Sequence, residues 1–99
     1  MTPAGELTLR HEPEQQRFVA ELPQGQGVLE YRQAAGNALD YHHTFVPQAL
    51  RGGGVASRLV EFGLDHALEH GHRVIPTCPF VASVIARNDK YRKLVAEAP

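Results

Sequence analysis

The stretch Arg51-Gly52-Gly53-Gly54-Val55-Ala56 lies between a strand-like segment and an amphipathic segment. Its three successive glycines have no Cβ atoms, so the backbone can bend sharply and approach another molecule closely. A helix that begins there directs unpaired N–H groups, and the positive end of its dipole, toward whatever lies above the loop. Such an arrangement is typical of sites that hold a phosphate or pyrophosphate. The loop therefore predicts a class of ligand before the fold is known.

The hydrophobic period changes to a helical one after the loop. Between Gly54 and His70 apolar residues recur every three to four positions, which predicts an amphipathic helix that ends at Gly71. Residues 72–77 have the composition of a strand. A strand–helix–strand unit favours a right-handed crossover between parallel strands.

Two further helical segments are predicted near the C-terminus. Pro79 suits the first turn of a helix, and its apolar positions continue to Ile85. Asn88-Asp89-Lys90 is expected to break that helix, with Asn88 as a candidate cap for a last turn or two over residues 91–96.

Three strands are predicted before the loop, and a shorter strand is expected at residues 7–10. The three are Arg17–Leu22, Val28–Gln33 and Leu39–Val46, separated by turns at Pro23–Gly27 and Ala35–Asn37. Their short connections favour an antiparallel meander. The predicted fold is therefore layered α+β: a meander of three to four strands, then a helix, a parallel strand and C-terminal helices. One domain over residues 1–99 is expected, with its core at about 17–96.

Composition and charge argue against several functions. Ten basic and eleven acidic residues give a net charge of −1 without a long basic run, so a nucleic-acid partner is not indicated. No apolar stretch approaches the roughly 20 residues needed to cross a bilayer, and no signal-peptide pattern is visible. The single cysteine, Cys78, excludes an internal disulfide. A cytoplasmic location and no membrane partner are expected.

Several of these segments together resemble the GCN5-related N-acetyltransferase superfamily. Its phosphate-loop signature, Gln/Arg-x-x-Gly-x-Gly/Ala, is matched by Arg51, Gly54 and Ala56. The run His43-Thr44-Phe45-Val46-Pro47, together with residues 76–81 and 88–91, is similar to a compact subfamily, the YjdJ-type acetyltransferase-like proteins. The resemblance covers roughly residues 18–95.

The resemblance implies acetyl-CoA as the cosubstrate. In such proteins the pyrophosphate lies on the loop, which here would be Arg51 with the backbone amides of Gly52, Gly53, Gly54, Val55 and Ala56. The pantetheine arm pairs with the preceding strand, at Phe45 and Val46. No Lys-Ser/Thr pair follows the glycines, which argues against a nucleotide triphosphate.

Three residues are candidates for catalysis. His43 lies on the strand beside the expected thioester and could accept a proton from the amine, or else pack on one face of the strand. Cys78 precedes a helix start, where a thiolate is stabilised, and could accept the acetyl group or act as an acid; otherwise it is a small buried residue. Tyr91 lies where a tyrosine of larger relatives often protonates the CoA thiolate, although stacking in the C-terminal core is an alternative role.

The acceptor is expected to be an amine of unknown identity, on a small molecule or a protein lysine. Larger members of the superfamily place one or two helices after the first strand to build the acceptor pocket, whereas a short turn replaces them here. The acceptor site should therefore be open and shallow. Two alternative functions follow: a CoA-binding module with little or no transferase activity, or a protein that only interacts with a partner and binds no CoA. Open sheet edges would permit a monomer or a homodimer.

A competing motif lies at the end of the long helix. His66-Ala67-Leu68-Glu69-His70 matches the inverted zinc-protease pattern His-x-x-Glu-His, and His72 is nearby. Only 29 residues follow His70, too few for the scaffold and third ligand of such an enzyme. Solvated histidines near the C-terminal end of a helix are the preferred interpretation, and no metal is expected.

Overall fold

A computed structural model describes residues 7–50 and 53–95. Arg51 and Gly52 of the glycine loop lie outside the described residues. The elements in chain order are β1 (Thr8–Glu12), β2 (Arg17–Leu22), β3 (Gly25–Ala34), β4 (Ala38–Phe45), α1 (Val55–His70), β5 (Arg73–Ile75), α2 (Pro79–Ala86) and α3 (Asp89–Arg92). A 3-10 turn at Gln48–Leu50, which the sequence did not predict, connects β4 to the loop.

The strands form one five-stranded sheet in the order β1-β2-β3-β4-β5. The first four pair as an antiparallel meander. β5 then adds in parallel to β4 through the α1 crossover. The predicted α+β fold is confirmed in its strand order and in the direction of every pairing.

The hydrophobic core lies on one face of the sheet. Alternate strand residues, such as Phe18 and Ala20 on β2 and Leu29 and Tyr31 on β3, point toward the same side and are buried. α1 covers this face, and α2 and α3 pack beside α1 in the same core. No helix of the described ranges covers the opposite face, which we call the open face.

α1 lies close to the sheet at Gly63. A Cβ atom there would lie 2.8 Å from Leu29 Cδ2 and 3.2 Å from the Phe18 ring. The buried Tyr41 hydroxyl donates a 2.6 Å hydrogen bond to the Gly63 carbonyl. The missing side chain thus allows the close packing that places α1 on the sheet.

Two predicted boundaries differ most from the structure. The turn expected at residues 23–27 is only Pro23-Gln24, because β3 already begins at Gly25. Gly27 belongs to β3. A larger residue would be crowded there, because a Cβ atom would lie 3.0 Å from Val46 Cγ2 and 3.2 Å from the Phe45 carbonyl oxygen.

The second error is at the C-terminal end. α3 covers Asp89–Arg92, within the segment expected to break the helix. The break lies earlier, at Arg87 and Asn88, because Asn88 adopts an extended conformation before α3.

None of the helices in the described part of the chain combines the length and apolarity needed to cross a membrane.

Candidate functional site

β4 and β5 separate near their carboxyl ends. They pair only from Ala38 to Asp40 on β4, while β4 continues to Phe45 along β3. Tyr41 is the last connection, since its carbonyl accepts a 3.0 Å hydrogen bond from the Cys78 N–H. From His42 to Phe45, the edge of β4 facing away from β3 has no strand partner in the described ranges. An extended ligand can pair with such an edge.

A β-bulge determines which face each residue of this edge occupies. His42 is the extra residue, because Tyr41 lies opposite Tyr31 whereas His43 lies opposite Glu30. Directly opposed residues share a face, so Tyr41 points to the core while His43 lies on the open face. Phe45 is also on the open face, opposite Val28, and is 50% exposed. Bulges often redirect side chains next to functional sites.

The start of α1 lies at the same edge of the sheet. Gly54 immediately precedes the helix in the left-handed conformation, with φ 77° and ψ 11°, and no side chain caps it. The first intrahelical bond runs from the Arg58 N–H to the Gly54 carbonyl, at 3.0 Å. The N–H groups of the first turn therefore have no acceptor within the helix. Because β4 and β5 are parallel, the start of α2 lies at this edge as well.

Cys78 lies at the start of α2 and faces β4. It is buried, and its Sγ lies 3.4 Å from the Thr44 Oγ1. Burial alone would raise the pKa of the thiol. The Thr44 hydroxyl and the backbone N–H groups of Val81 and Phe80 outweigh it, so the pKa of Cys78 is lowered. A thiol in this setting ionises more readily than an ordinary one.

The three predicted catalytic residues are not brought together. His43 is exposed on the open face, and its side chain makes no hydrogen bond with any described residue, whereas Cys78 lies on the core side of β4. Tyr91 is buried, and its hydroxyl donates a 2.9 Å hydrogen bond to Asp65 of α1. Burial and the Asp65 carboxylate raise the pKa of Tyr91, which makes it a weaker proton donor. The catalytic role of each residue stays a prediction.

Thr44 is the site residue that the sequence did not reveal. It lies opposite the buried Leu29, on the core side of β4. Its contact with Cys78 joins residues 34 positions apart. A threonine in a strand is ordinary, and no local spacing rule connects it to a cysteine that far along the chain.

The zinc-protease pattern does not form a metal centre. His66 and His70 stack with their ring centroids 4.2 Å apart. Among residues 7–50 and 53–95, no three or more histidine, cysteine, aspartate or glutamate side chains are arranged to hold a metal ion.

Comparison with known proteins gives a consistent result. The family model described as GCN5-related N-acetyltransferase matches residues 17–94, well over half of the chain. The protein named NATD1 from Xenopus tropicalis is 27% identical over 90 residues, covering 89% of this chain and 83% of the relative. NATD1 from Bos taurus is 29% identical over 84 residues, covering 83% and 74%.

A solved structure is similar across nearly the whole chain. The solution structure of a GCN5-like protein from Staphylococcus aureus has a TM-score of 0.71 and covers 95% of this chain and 92% of its own. At 22% sequence identity, this similarity concerns the fold alone.

Proposed function

Since this chain belongs to the GCN5-related N-acetyltransferase family, we propose that it binds acetyl-CoA and transfers the acetyl group to an amine. We further propose that it is one of the compact YjdJ-type members and that it acts in the cytoplasm. The observation that carries the proposal is the separation of β4 from β5 beyond Tyr41, beside the uncapped start of α1.

Each part of acetyl-CoA has a matching part of this edge. The pyrophosphate would lie on the amides of the glycine loop, from Gly53 and Gly54 to Ala56, with Gly52 and Arg51 completing the cradle. Anions bind there because helix N-terminal N–H groups lack acceptors. The pantetheine arm would pair with β4 along residues 42–45 and continue to Val46. Its thioester would then lie between the separated strands, near Thr44 and Cys78.

Transfer requires a neutral amine and a leaving thiolate that gains a proton. We assign removal of the amine proton to His43, on the open face of β4. The amine nitrogen forms a bond to the acetyl carbon, the bond from that carbon to the CoA sulfur breaks, and CoA leaves as the thiolate. We keep Tyr91 as a candidate proton donor, although its bond to Asp65 favours the packing role.

The acceptor amine most compatible with this surface belongs to a protein. The open face beside His43 carries no helix of the described ranges, so it offers no enclosing wall for a small molecule, which usually binds in a concave pocket. Phe45 is half exposed there and provides an apolar contact at the rim. A protein acceptor would bring its own surface as the second wall and present a lysine amine to His43.

The experiment that tests this function measures binding and transfer separately. Calorimetry with acetyl-CoA and CoA reports binding, and release of the CoA thiol in the presence of lysine peptides or small amines reports transfer. We expect binding with both ligands and faster thiol release with lysine peptides. No heat and no thermal shift at millimolar ligand would refute the proposal at its first step.

Replacing His43 separates catalysis from binding. His43→Gln is expected to lower turnover by about a hundredfold, the usual contribution of a general base, while acetyl-CoA affinity stays the same. His42→Gln is the matched control, since it removes the neighbouring imidazole at the bulge, and its turnover should remain within about threefold, a ratio worth under 1 kcal/mol. Equal turnover in His43→Gln and wild-type protein would remove His43 from the mechanism.

Cys78 is expected to accept an acetyl group when no amine is present. Its Sγ, as the thiolate, would form a bond to the acetyl carbon as the bond to the CoA sulfur breaks, and CoA would leave as a thiolate that takes up the proton lost by Cys78. Intact mass after incubation with acetyl-CoA should show one adduct, absent from Cys78→Ala. Thr44→Val should slow its formation about tenfold, because a hydrogen bond to a charged group contributes about 1.5 kcal/mol. Turnover without any adduct would favour direct transfer instead.

A CoA-binding module with little transferase activity is the second candidate. The observation that favours it is the position of His43 and Cys78 on opposite faces of β4. Calorimetric binding with no thiol release from any amine would support this alternative.

A further inference from the structure

Four imidazole rings form a column between β1 and the end of α1. The column consists of His11, His66, His70 and His72. The His66 ring centroid lies 4.5 Å from that of His11 and 4.2 Å from that of His70. His72 follows, with its centroid 6.0 Å from that of His66 and 6.5 Å from that of His70. The fold therefore brings together four imidazole rings from distant parts of the chain, and each of them can gain a positive charge by binding a proton.

His11 joins the column to the core. Its ring stacks on Phe18 with centroids 4.5 Å apart, and its Nε2 lies 2.6 Å from the Tyr31 hydroxyl. The His66 ring contacts Phe18 edge-on at 5.3 Å. β1 is an edge strand with a single strand neighbour, so this ring contact is a main attachment of β1 to α1.

The outer rings are oriented by backbone carbonyls. The Nδ1–H of His70 donates to the His66 carbonyl at 2.9 Å, and the Nδ1–H of His72 donates to the Asn37 carbonyl at 3.2 Å. A neutral imidazole carries one N–H group, so both hydrogen bonds can form while the rings are uncharged.

No carboxylate of the described ranges forms an ion pair or hydrogen bond with any ring of the column. On β1 and β2, the charged residues lie on the open face, where they pair with one another. Asp65 of α1 accepts from Tyr91 and pairs with Lys90. Tyr31 is the titratable neighbour on β3. The charged residues on the elements around the column are Arg10, Glu12, Arg17, Glu21, Glu30, Arg32, Arg58, Glu61, Asp65, Glu69 and Arg73.

We propose that the column is a pH-sensitive clasp, which holds β1 against α1 while its rings are neutral and releases β1 when they are protonated. Two or more imidazolium charges at these separations repel one another, and no neighbouring carboxylate in the described ranges offsets them. Release would expose the edge of β2 that β1 covers.

The direction of the pH effect follows from the folded-state ionisation. Burial, and then the neighbouring histidines, lower the pKa of His66 to about 4 from an ordinary value of 6.5. Burial also lowers the pKa of His11, with a contribution from His70. A group whose folded pKa is depressed in this way binds its proton more readily in the open state. The closed state is therefore favoured above about pH 6.5 and loses stability as the pH falls toward 4.

Hydrogen exchange of the β1 amides tests the clasp. Protection factors, corrected for the intrinsic exchange rate at each pH, are compared at pH 7.5 and 5.5 with a chelator present to exclude metal effects. We expect β1 protection to fall about tenfold at pH 5.5 in the wild-type protein. This is the effect of one imidazole that binds a proton in the open state but not in the closed state. Protection of β3 should fall less, since its strand is paired on both sides.

Two variants show whether the column is responsible. In His66→Gln the pH dependence of β1 protection should largely disappear, whereas His42→Gln, which removes an imidazole outside the column, should keep it. His70→Gln changes an exposed ring and provides a second test if the His66 variant does not fold. The proposal is overturned if wild-type β1 protection is the same at both pH values, or if a folded column variant keeps the full pH dependence.

Discussion

Replacing Gly63 with valine is expected to destabilise the protein by about 3 kcal/mol, the upper part of the range for overpacking a core. Even a single Cβ atom at this position would lie 2.8 Å from Leu29 Cδ2 and 3.2 Å from the Phe18 ring. Valine adds two more methyl groups to the same contact. α1 would have to move away from the sheet and would lose the bond from the Tyr41 hydroxyl to the Gly63 carbonyl. Urea unfolding followed by circular dichroism measures the effect.

Two smaller substitutions calibrate this result. Gly63→Ala should cost less than Gly63→Val, because Leu29 can shift and alanine favours the helix by about 1 kcal/mol relative to glycine. Gly53→Ala should be close to neutral, since its Cβ atom would have no atom within 4 Å. A Gly63→Val protein as stable as wild type would contradict the close packing of α1 on β2 and β3.

Replacing Gly54 with glutamate is expected to weaken acetyl-CoA binding about a hundredfold, which corresponds to roughly 2.7 kcal/mol. Gly54 immediately precedes α1, so the new carboxylate would compete for the N–H groups assigned to the pyrophosphate and repel its charge. Calorimetry with acetyl-CoA measures the change. This prediction rests on the proposed function.

Gly54→Gln is the matched control for charge. Both substitutions place a side chain of similar size at a position with φ 77°, so both carry the same backbone penalty of about 1 kcal/mol. Glutamine should retain most of the affinity that glutamate loses. Equal losses in the two variants would mean that backbone geometry, and not anion binding, determines the effect.

Local signals in the sequence account for most of the secondary structure. The boundaries of β2 match the predicted strand. α1 begins one residue after the predicted start and ends at His70, and Gly71, the predicted stop, follows with φ 73°. Period and turn residues act over a few positions, so they are visible without the fold. The 23–27 turn was predicted wrongly because Gly25 and Gly27, which usually mark a loop, belong to β3, where Gly27 allows close contact with Val46.

The candidate site was only partly visible in the sequence. Strict alternation along β4 would put His43 and Phe45 on the same face as Leu39 and Tyr41. The bulge at His42 reverses this and places both on the open face. A bulge depends on the register with a neighbouring strand, which one strand's sequence does not contain. The contact between Thr44 and Cys78 has the same origin, since the β4–β5 pairing creates it.

The sequence is enough to predict the order of strands and helices, the glycine loop that precedes α1 and the family resemblance, because these depend on neighbours along the chain. The folded structure is needed to see where β4 separates from β5, which face of β4 carries His43, and how the His11 ring contacts the His66 ring. Each of these depends on strand register and on helix position over the sheet. Those are set by packing between residues distant in sequence, in which no local pattern takes part.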